Sequence, residues 1–149
     1  KDKIGIFDQK VFYYKLNLRV TDYEQWEGTR ICNKRFLKSF SWLRDKVRLK
    51  NLKYSFWRFD KFKKIYKIEN GGWHFSFLGN AEFISSKIKS YVHSEYDQEK
   101  YTKIEEINNR IKKALDPYDR KKKIITVPID ETYPEFIYLN KEKLKDLIY

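Results

Sequence analysis

The sequence is poor in residues that cross-link or interrupt a chain: among 149 residues it has one cysteine, no methionine, three prolines and five glycines. With Cys32 alone, an intrachain disulfide and a zinc cluster built from cysteines are both excluded. No apolar run approaches the roughly 18 residues of a membrane span, and no signal-peptide pattern opens the chain. Because the first residue is Lys1 and methionine is absent, we expect a piece of a longer protein, trimmed at least at its N-terminus.

Sequence motifs of several large enzyme classes are also missing. The chain has no Walker-type phosphate loop, no glycine fingerprint for a dinucleotide and no G-x-S-x-G nucleophile elbow. These classes of enzyme are therefore disfavoured. A D-x-D element is absent as well.

Positive charge is abundant, since 33 Lys and Arg residues against 21 Asp and Glu residues give a formal net charge of +12. Such an excess favours polyanions, acidic membrane surfaces or phosphorylated ligands, although many lysines simply form a solvated surface. Residues 49–64 combine aromatic side chains with five lysines. One candidate function is therefore a basic, aromatic module that binds nucleic acid.

The chain has the length of one domain, and its mixture of extended and helical patterns predicts a single α/β domain over residues 1–149. The patterns predict strands at 11–20, 29–32, 65–69, 73–78 and 124–129, the first two as a possible hairpin. They predict amphipathic helices at 33–47, 81–92, 99–115 and 141–149. Asn33 and Asn80 are the expected caps of the first two helices.

Residues 68–97 concentrate the rarer residue types: three of the five glycines, both histidines and one of the four tryptophans. Gly71 and Gly72 allow backbone conformations that are closed to other residues, and they let a ligand approach the main chain. His74 lies in an alternating apolar segment, where a histidine is either a structural residue or a ligand. Glu69, which precedes the glycines, is either a base in a ligand cleft or a charge at a strand end.

A second group of candidate residues lies at the end of the helix predicted after Asn80. His93 and Glu95 are two positions apart there, near Asp97, so that a nitrogen and carboxylate oxygens can converge. The spacing fits a metal site or an acid/base site, and it fits an ordinary helix ending equally well.

Three specific motifs occur along the chain: W-E-G-T-R-I at 26–31, E-N-G-G-W-H-F-S-F-L-G at 69–79 and K-I-K-S-Y-V-H-S-E-Y at 87–96. In order and spacing they resemble the β-1,4-mannosyl-glycoprotein N-acetylglucosaminyltransferase family, which adds the bisecting N-acetylglucosamine to N-glycans. The most specific marks are the G-W-H-F-S run and the later H-S-E. The segments F-Y-Y-K-L-N at 12–17 and Y-P-E-F-I-Y-L-N at 133–140 also fit, so the resemblance covers almost the whole chain.

The resemblance implies an inverting glycosyltransferase with a GT-A-like α/β fold that uses a nucleotide sugar, such as UDP-N-acetylglucosamine, and a divalent cation such as manganese. In that fold a D-x-D element binds the donor diphosphate through the metal, and here it would precede Lys1. The chain would then be the acceptor-side, C-terminal portion of a larger catalytic domain, and inactive in isolation. A non-catalytic carbohydrate-binding remnant is a further alternative.

The resemblance also implies three groups of site residues. The catalytic base, which takes the proton from the acceptor hydroxyl, is one of two carboxylates: Glu95 or Glu69. A further ligand for the metal or the diphosphate, later in the chain than the D-x-D element, is one of two histidines: His93 or His74. The remaining candidates contact the sugar or the diphosphate: Gly71, Gly72, Trp73, Trp26, Arg30 and Arg58.

Overall fold

The computed structural model describes residues 3–22, 26–90 and 98–149, and its fold is mixed α/β. The strands in these ranges are β1 (Ile4–Asp8), β2 (Lys10–Tyr13), β3 (Leu18–Val20), β4 (Glu27–Ile31), β5 (Ile65–Ile68), β6 (Trp73–Ser76) and β7 (Ile124–Thr126). The α-helices in the same ranges are α1 (Phe40–Asp45), α2 (Ala81–Lys89), α3 (Glu99–Thr102), α4 (Ile104–Lys112) and α5 (Glu135–Leu139). Short 3-10 helices occupy Lys34–Phe36, Leu49–Lys53 and Lys145–Leu147. The predicted α/β class is confirmed.

The chain divides into two compact units. Unit 1 comprises Lys1–Lys10 and Gln25–His74, and unit 2 comprises Val11–Glu24 and Phe75–Tyr149. The assignment of a single domain to residues 1–149 stays a prediction. In the part of the chain that the structure describes, no helix has the length and apolar character needed to cross a bilayer.

Unit 1 is organised around β1. This strand runs antiparallel to β4 and parallel to β5, so it is the central strand of a three-stranded sheet. Its alternate residues Ile4 and Ile6 are buried and pack with Val47, Leu49 and Ile65 into one apolar cluster. Burial of Ile4 and Ile6 in this cluster fixes the register of β1. Because β1 runs parallel to β5, its polar carboxyl end lies where the glycine pair follows β5.

Unit 2 combines most of a four-stranded sheet, in the order β6-β2-β3-β7, with the four α-helices α2 to α5. β3 pairs antiparallel with both β2 and β7. Helices α2, α3 and α4 pack against one another. The buried hydroxyl of Ser85 joins two of them by donating to the Thr102 carbonyl oxygen at 2.6 Å.

Several predicted elements are confirmed. Strands β4, β5, β6 and β7 lie within or overlap the predicted extended segments. Helix α2 begins as predicted, since the Asn80 side chain accepts a hydrogen bond from the Phe83 backbone N–H at 3.0 Å. The predicted hairpin between the segments 11–20 and 29–32 is wrong, because β4 pairs with β1.

The helix predicted over 33–47 is wrong in its length, because two caps divide the segment. Asn33 does cap a first turn, but that turn ends at Phe36. Ser39 then begins α1 by accepting a hydrogen bond from the Trp42 backbone N–H at 3.0 Å. Polar side chains of this type compete for backbone groups and favour helix starts over helix interiors.

The helix predicted over 99–115 is interrupted at Lys103, which is extended and separates α3 from α4. The cause is tertiary, because the Thr102 carbonyl oxygen accepts the Ser85 hydroxyl rather than continuing the helix.

Two further predicted elements are wrong, and both involve contacts with residues that are distant in sequence. The strand predicted over 11–20 breaks at Tyr14, which has a left-handed φ of 64°, and becomes β2 and β3. The helix predicted over 141–149 is reduced to turns and one 3-10 helix. Its Leu147 carbonyl oxygen accepts from the Leu16 backbone N–H at 2.8 Å, and the Tyr149 backbone N–H donates to the Asn17 side chain at 2.7 Å.

Candidate functional site

The glycine pair lies in the short connection between β5 and β6, directly after a turn at residues 69–70. Gly72 has a φ of +112°, which only glycine adopts readily. A Cβ on Gly71 would lie 2.7 Å from the Phe7 Cβ and 2.9 Å from the Phe7 Cα, so glycine is also required there for close packing against β1. The Gly71 N–H donates to the Asp8 carbonyl oxygen at 2.8 Å, and the Lys10 N–H donates to the Gly72 carbonyl oxygen at 2.9 Å. The connection is therefore fixed to the carboxyl end of β1.

An aromatic pair lies at the same end of β1. The rings of Trp26 and His74 have centroids 4.8 Å apart and are tilted by 31°, and both residues are half-buried. Backbone contacts position Trp26, whose N–H donates to the Asp8 carboxylate at 3.3 Å and whose carbonyl oxygen accepts from the Gln9 N–H at 3.1 Å. Strand β6 positions His74 directly after the glycine pair. We name the set Asp8, Gln9, Trp26, Gly71, Gly72 and His74 the glycine-pair site.

Two carboxylates share one lysine beside this site. The Lys67 Nζ lies 2.8 Å from the Asp8 Oδ2 and 2.8 Å from the Glu69 Oε2. The hydrogen bonds to Asp8 and then to Glu69 raise the pKa of Lys67, so the ammonium keeps its proton at neutral pH. The Glu69 side chain is 67% exposed, against 21% for Asp8, so Glu69 is the carboxylate that a ligand can reach.

Trp73 has a hydrogen-bond donor next to the glycine pair. Its indole Nε1 is buried, and it has no acceptor within the residues that the structure describes. An atom buried to this degree is out of reach of a ligand in the folded chain, so it adds no contact to the site. Trp73 itself is half-buried on β6.

The guanidinium of Arg30 is held within the fold of unit 1. Its Nε donates to the Val47 carbonyl oxygen at 3.1 Å, and one terminal nitrogen donates to the Glu27 and Gly28 carbonyl oxygens at 3.0 Å each. The other terminal nitrogen lies 3.1 Å from the Glu27 carboxylate, which also accepts from Arg48 at 2.8 Å. Burial lowers the pKa of Arg30, and the Glu27 charge opposes that shift. Every nitrogen of Arg30 thus has a protein partner. The substrate-binding role given to Arg30 stays a prediction.

Arg58 lies in a different environment, on an exposed loop of unit 1. It makes a two-pronged ion pair with the Asp60 carboxylate at 2.7 and 2.8 Å, and its guanidinium carbon lies 5.3 Å from the Tyr54 ring centroid. These partners belong to its own loop. The diphosphate-binding role given to Arg58 remains a prediction.

The two candidates near the end of α2, His93 and Glu95, lie outside the described residues. Their roles as metal ligand and base therefore stay predictions. Over residues 3–22, 26–90 and 98–149, no group of three His, Cys, Asp or Glu side chains is arranged to hold a metal ion. His74 consequently has no set of co-ligands within those ranges.

Sequence reasoning missed Asp8 and Gln9. Gln9 fills the space over Gly28, where an added Cβ would lie 1.6 Å from its Oε1, and its Nε2 lies 3.4 Å from the Thr29 hydroxyl. A usable signal was present, since this polar pair directly follows the buried apolar start of β1. Polar residues at the end of a buried strand are positioned by that strand.

Comparisons with known proteins add no relative. No protein-family model matches the chain, and searches of curated proteins and of solved structures find no match either. The resemblance to the N-acetylglucosaminyltransferase family therefore rests on the motifs at 26–31, 69–79 and 87–96.

Proposed function

We propose that this chain is the acceptor-side portion of a GT-A-like inverting glycosyltransferase. It would take part in moving N-acetylglucosamine or a related sugar from a nucleotide sugar to a hydroxyl of a glycan or glycoprotein. The observation that carries the proposal is the glycine-pair site, where the Trp26 and His74 rings contact each other and Asp8, which holds the Trp26 backbone, shares Lys67 with the accessible Glu69. Ring faces suit the apolar C–H face of a sugar, and a glycine pair lets the sugar approach the backbone.

The chemistry assigns a role to the carboxylate. In an inverting transfer the acceptor oxygen attacks the anomeric carbon, and the bond from that carbon to the diphosphate oxygen breaks with its electron pair leaving on the diphosphate. The proton of the acceptor hydroxyl passes to a carboxylate base. Glu69 is one candidate for this base, and its support is that its carboxylate is exposed beside the glycine pair, where it forms an ion pair with Lys67. Glu95 is the other candidate named by the family motif.

The described residues do not fit a complete divalent-cation site. His74 contacts the Trp26 ring, and no group of three potential ligands is assembled in the described ranges. A cation such as manganese would hold the charge of the leaving diphosphate when bound, and we expect its main ligands upstream of Lys1. The roles proposed for this chain are accordingly confined to binding the acceptor and taking its proton.

The proposal is tested with the full-length gene product, UDP-N-acetylglucosamine and an N-glycan acceptor, by measuring UDP release with and without the acceptor. We expect release that depends on the acceptor. Glu69→Gln or Glu95→Gln should lower kcat by roughly 100-fold or more, because only one of these carboxylates takes the proton. Glu131→Gln, a change at an exposed carboxylate of unit 2, is the matched control and should leave kcat unchanged.

Two results would contradict the proposal. One is acceptor-dependent release that neither glutamine variant reduces. The other is glycan binding without release of UDP from any UDP-sugar, which would identify the chain as part of a carbohydrate-binding protein.

A further inference from the structure

A loop of unit 1 exposes large apolar rings to solvent. All residues from 52 to 60 are exposed, and we name this segment the aromatic loop. Phe56, Trp57 and Phe59 are 79%, 62% and 90% exposed, respectively. Contiguous exposed rings of this size mark an interaction site more often than chance exposure.

The aromatic loop is held in shape by specific contacts. The buried Asn51 closes its base, since its side-chain amide donates to the Lys46 carbonyl oxygen at 2.7 Å and to the Phe62 carbonyl oxygen at 3.1 Å. The Lys63 ammonium donates to the Tyr54 carbonyl oxygen at 3.1 Å and also to that of Ser55. The protein therefore holds the loop in place even though its apolar rings face water.

The charges around the aromatic loop are arranged unequally. Within the loop, Asp60 is paired with Arg58 and lies 3.0 Å from the Lys61 ammonium. Near its base, several lysines make no ion pair with any described residue: Lys46, Lys50, Lys53 and Lys64.

A polar cavity of about 210 Å³ adjoins the loop and shares Tyr54, Asp60 and Lys61 with it. Its other lining residues are Asp45, Lys46, Arg48, Lys50 and Asn51. Four cations against two carboxylates make the lining net positive. The surroundings of the rings thus favour anionic groups.

Two classes of anionic partner meet such a surface, single-stranded nucleic acid and an acidic membrane. Single-stranded nucleic acid stacks its bases on open ring faces, and at Tyr54 the ring already has Arg58 and Lys61 over it at 5.3 and 5.5 Å. Phe56 and Trp57 contact each other edge-on, with centroids 4.9 Å apart and planes at 70°, which makes a compact apolar wedge. An apolar wedge with unpaired lysines near its base matches the boundary between lipid headgroups and acyl chains.

We propose that the aromatic loop docks this chain onto an acidic phospholipid surface. Phe56, Trp57 and Phe59 enter the interface, and the unpaired lysines near the base of the loop contact the anionic headgroups. Lysines near such a surface attract it electrostatically, and added salt screens the attraction. This membrane contact is independent of the sugar-transfer proposal.

The test is co-sedimentation of the chain with phosphatidylcholine vesicles that contain or lack phosphatidylserine. We expect binding that needs phosphatidylserine and weakens as salt is added. The triple change Phe56→Ser, Trp57→Ser and Phe59→Ser should lower the partition coefficient by roughly tenfold or more, since all three rings are removed from the interface. Lys50→Glu with Lys53→Glu should abolish the preference for phosphatidylserine.

The matched control is Phe136→Ser with Leu139→Ser, which removes two exposed apolar side chains of unit 2 and should leave the partition coefficient within about twofold. Failure of the parent chain to sediment with phosphatidylserine vesicles at low salt would overturn the proposal. Equal binding by the parent and the triple variant would overturn it too. The proposal would also be overturned if the chain bound oligothymidylate through the loop but did not bind the vesicles, because that result assigns the surface to nucleic acid.

Discussion

Glycine is needed at two adjacent positions of the glycine-pair site for two different physical reasons. At Gly72 the backbone conformation demands it, and the space around an added Cβ is open apart from the Gln9 amide at 3.7 Å. At Gly71 the space demands it, because the neighbours are backbone and near-backbone atoms of β1. The sequence pattern predicts that both glycines adopt backbone conformations that are closed to other residues, whereas Gly71 serves close packing.

Whether the neighbouring atoms can move aside predicts unequal losses of stability for alanine substitutions at Gly71 and at Gly28. Gly71→Ala should lower the free energy of unfolding by about 2–3 kcal/mol, because the Phe7 backbone cannot move aside without disturbing β1. Gly28→Ala should cost less than about 1 kcal/mol, since the clashing group is the flexible end of Gln9. Urea unfolding of both variants measures the difference. Equal losses would show that the Gln9 amide is as rigid as the strand.

Among the secondary-structure elements, the well-predicted ones depend on local signals. The Asn80 cap with the apolar side of α2, and the β-branched and aromatic residues of β5 and β6, are readable in short windows of sequence. Several elements that differ from prediction involve distant partners, as at Thr102 and Leu147, whose carbonyl oxygens accept from Ser85 and Leu16. Spacing along the chain carries no record of such contacts.

The candidate site shows the same limit. The glycine pair and His74 come from a motif, but the contact between the Trp26 and His74 rings joins residues far apart in sequence. Arg30 belongs to a motif as well, yet the sequence does not show that Val47 and Glu27 occupy its donors.

Helix α4 is tied to the turn that follows it through Arg110. This side chain donates to the Asp116 carbonyl oxygen at 3.0 Å and to the Asp119 Oδ2 at 3.0 Å. Its hydrogen bond lowers the pKa of Asp119. The folded carboxylate thus holds its proton less tightly than the unfolded one, so its stabilising effect is present above the unfolded pKa of about 3.9 and is lost as pH falls through the folded pKa.

Asp119→Asn should therefore destabilise the protein at pH 7 and have little effect in acid. Asparagine tolerates the left-handed backbone of this position, where φ is 56°, so the substitution mainly removes the charge. Because the side chain is 53% exposed, we expect a loss of only a few tenths to about 1 kcal/mol at neutral pH. Urea unfolding at neutral pH and near pH 2, well below the unfolded pKa of about 3.9, gives the two values, with Glu131→Gln as an exposed control. A loss of the same size at both pH values would contradict the ion-pair explanation.

For the whole molecule, the net charge of +12 implies self-repulsion in the folded state. Exposed pairs such as Arg44–Asp45 and Lys103–Glu99 are attractive but contribute little each. Screening should therefore relieve more repulsion than it weakens attraction.

Added sodium chloride should accordingly raise the midpoint of thermal unfolding as the ionic strength increases from low to physiological values. Sodium fluoride at the same ionic strength is the control for specific chloride binding. A midpoint that falls with both salts would mean that attractive pairs dominate the electrostatic stability of this chain.

The closed base of the aromatic loop has a consequence for engineering. Asn51, which precedes the loop, is one anchor, because its side-chain amide joins the two ends of the loop. Phe62, which follows the loop, is the other anchor, because it packs on the core cluster of unit 1. Residues between these two anchors can therefore be exchanged as a cassette, in the way that a recognition loop is grafted onto an antibody framework. The chain would then serve as a scaffold that displays a chosen peptide.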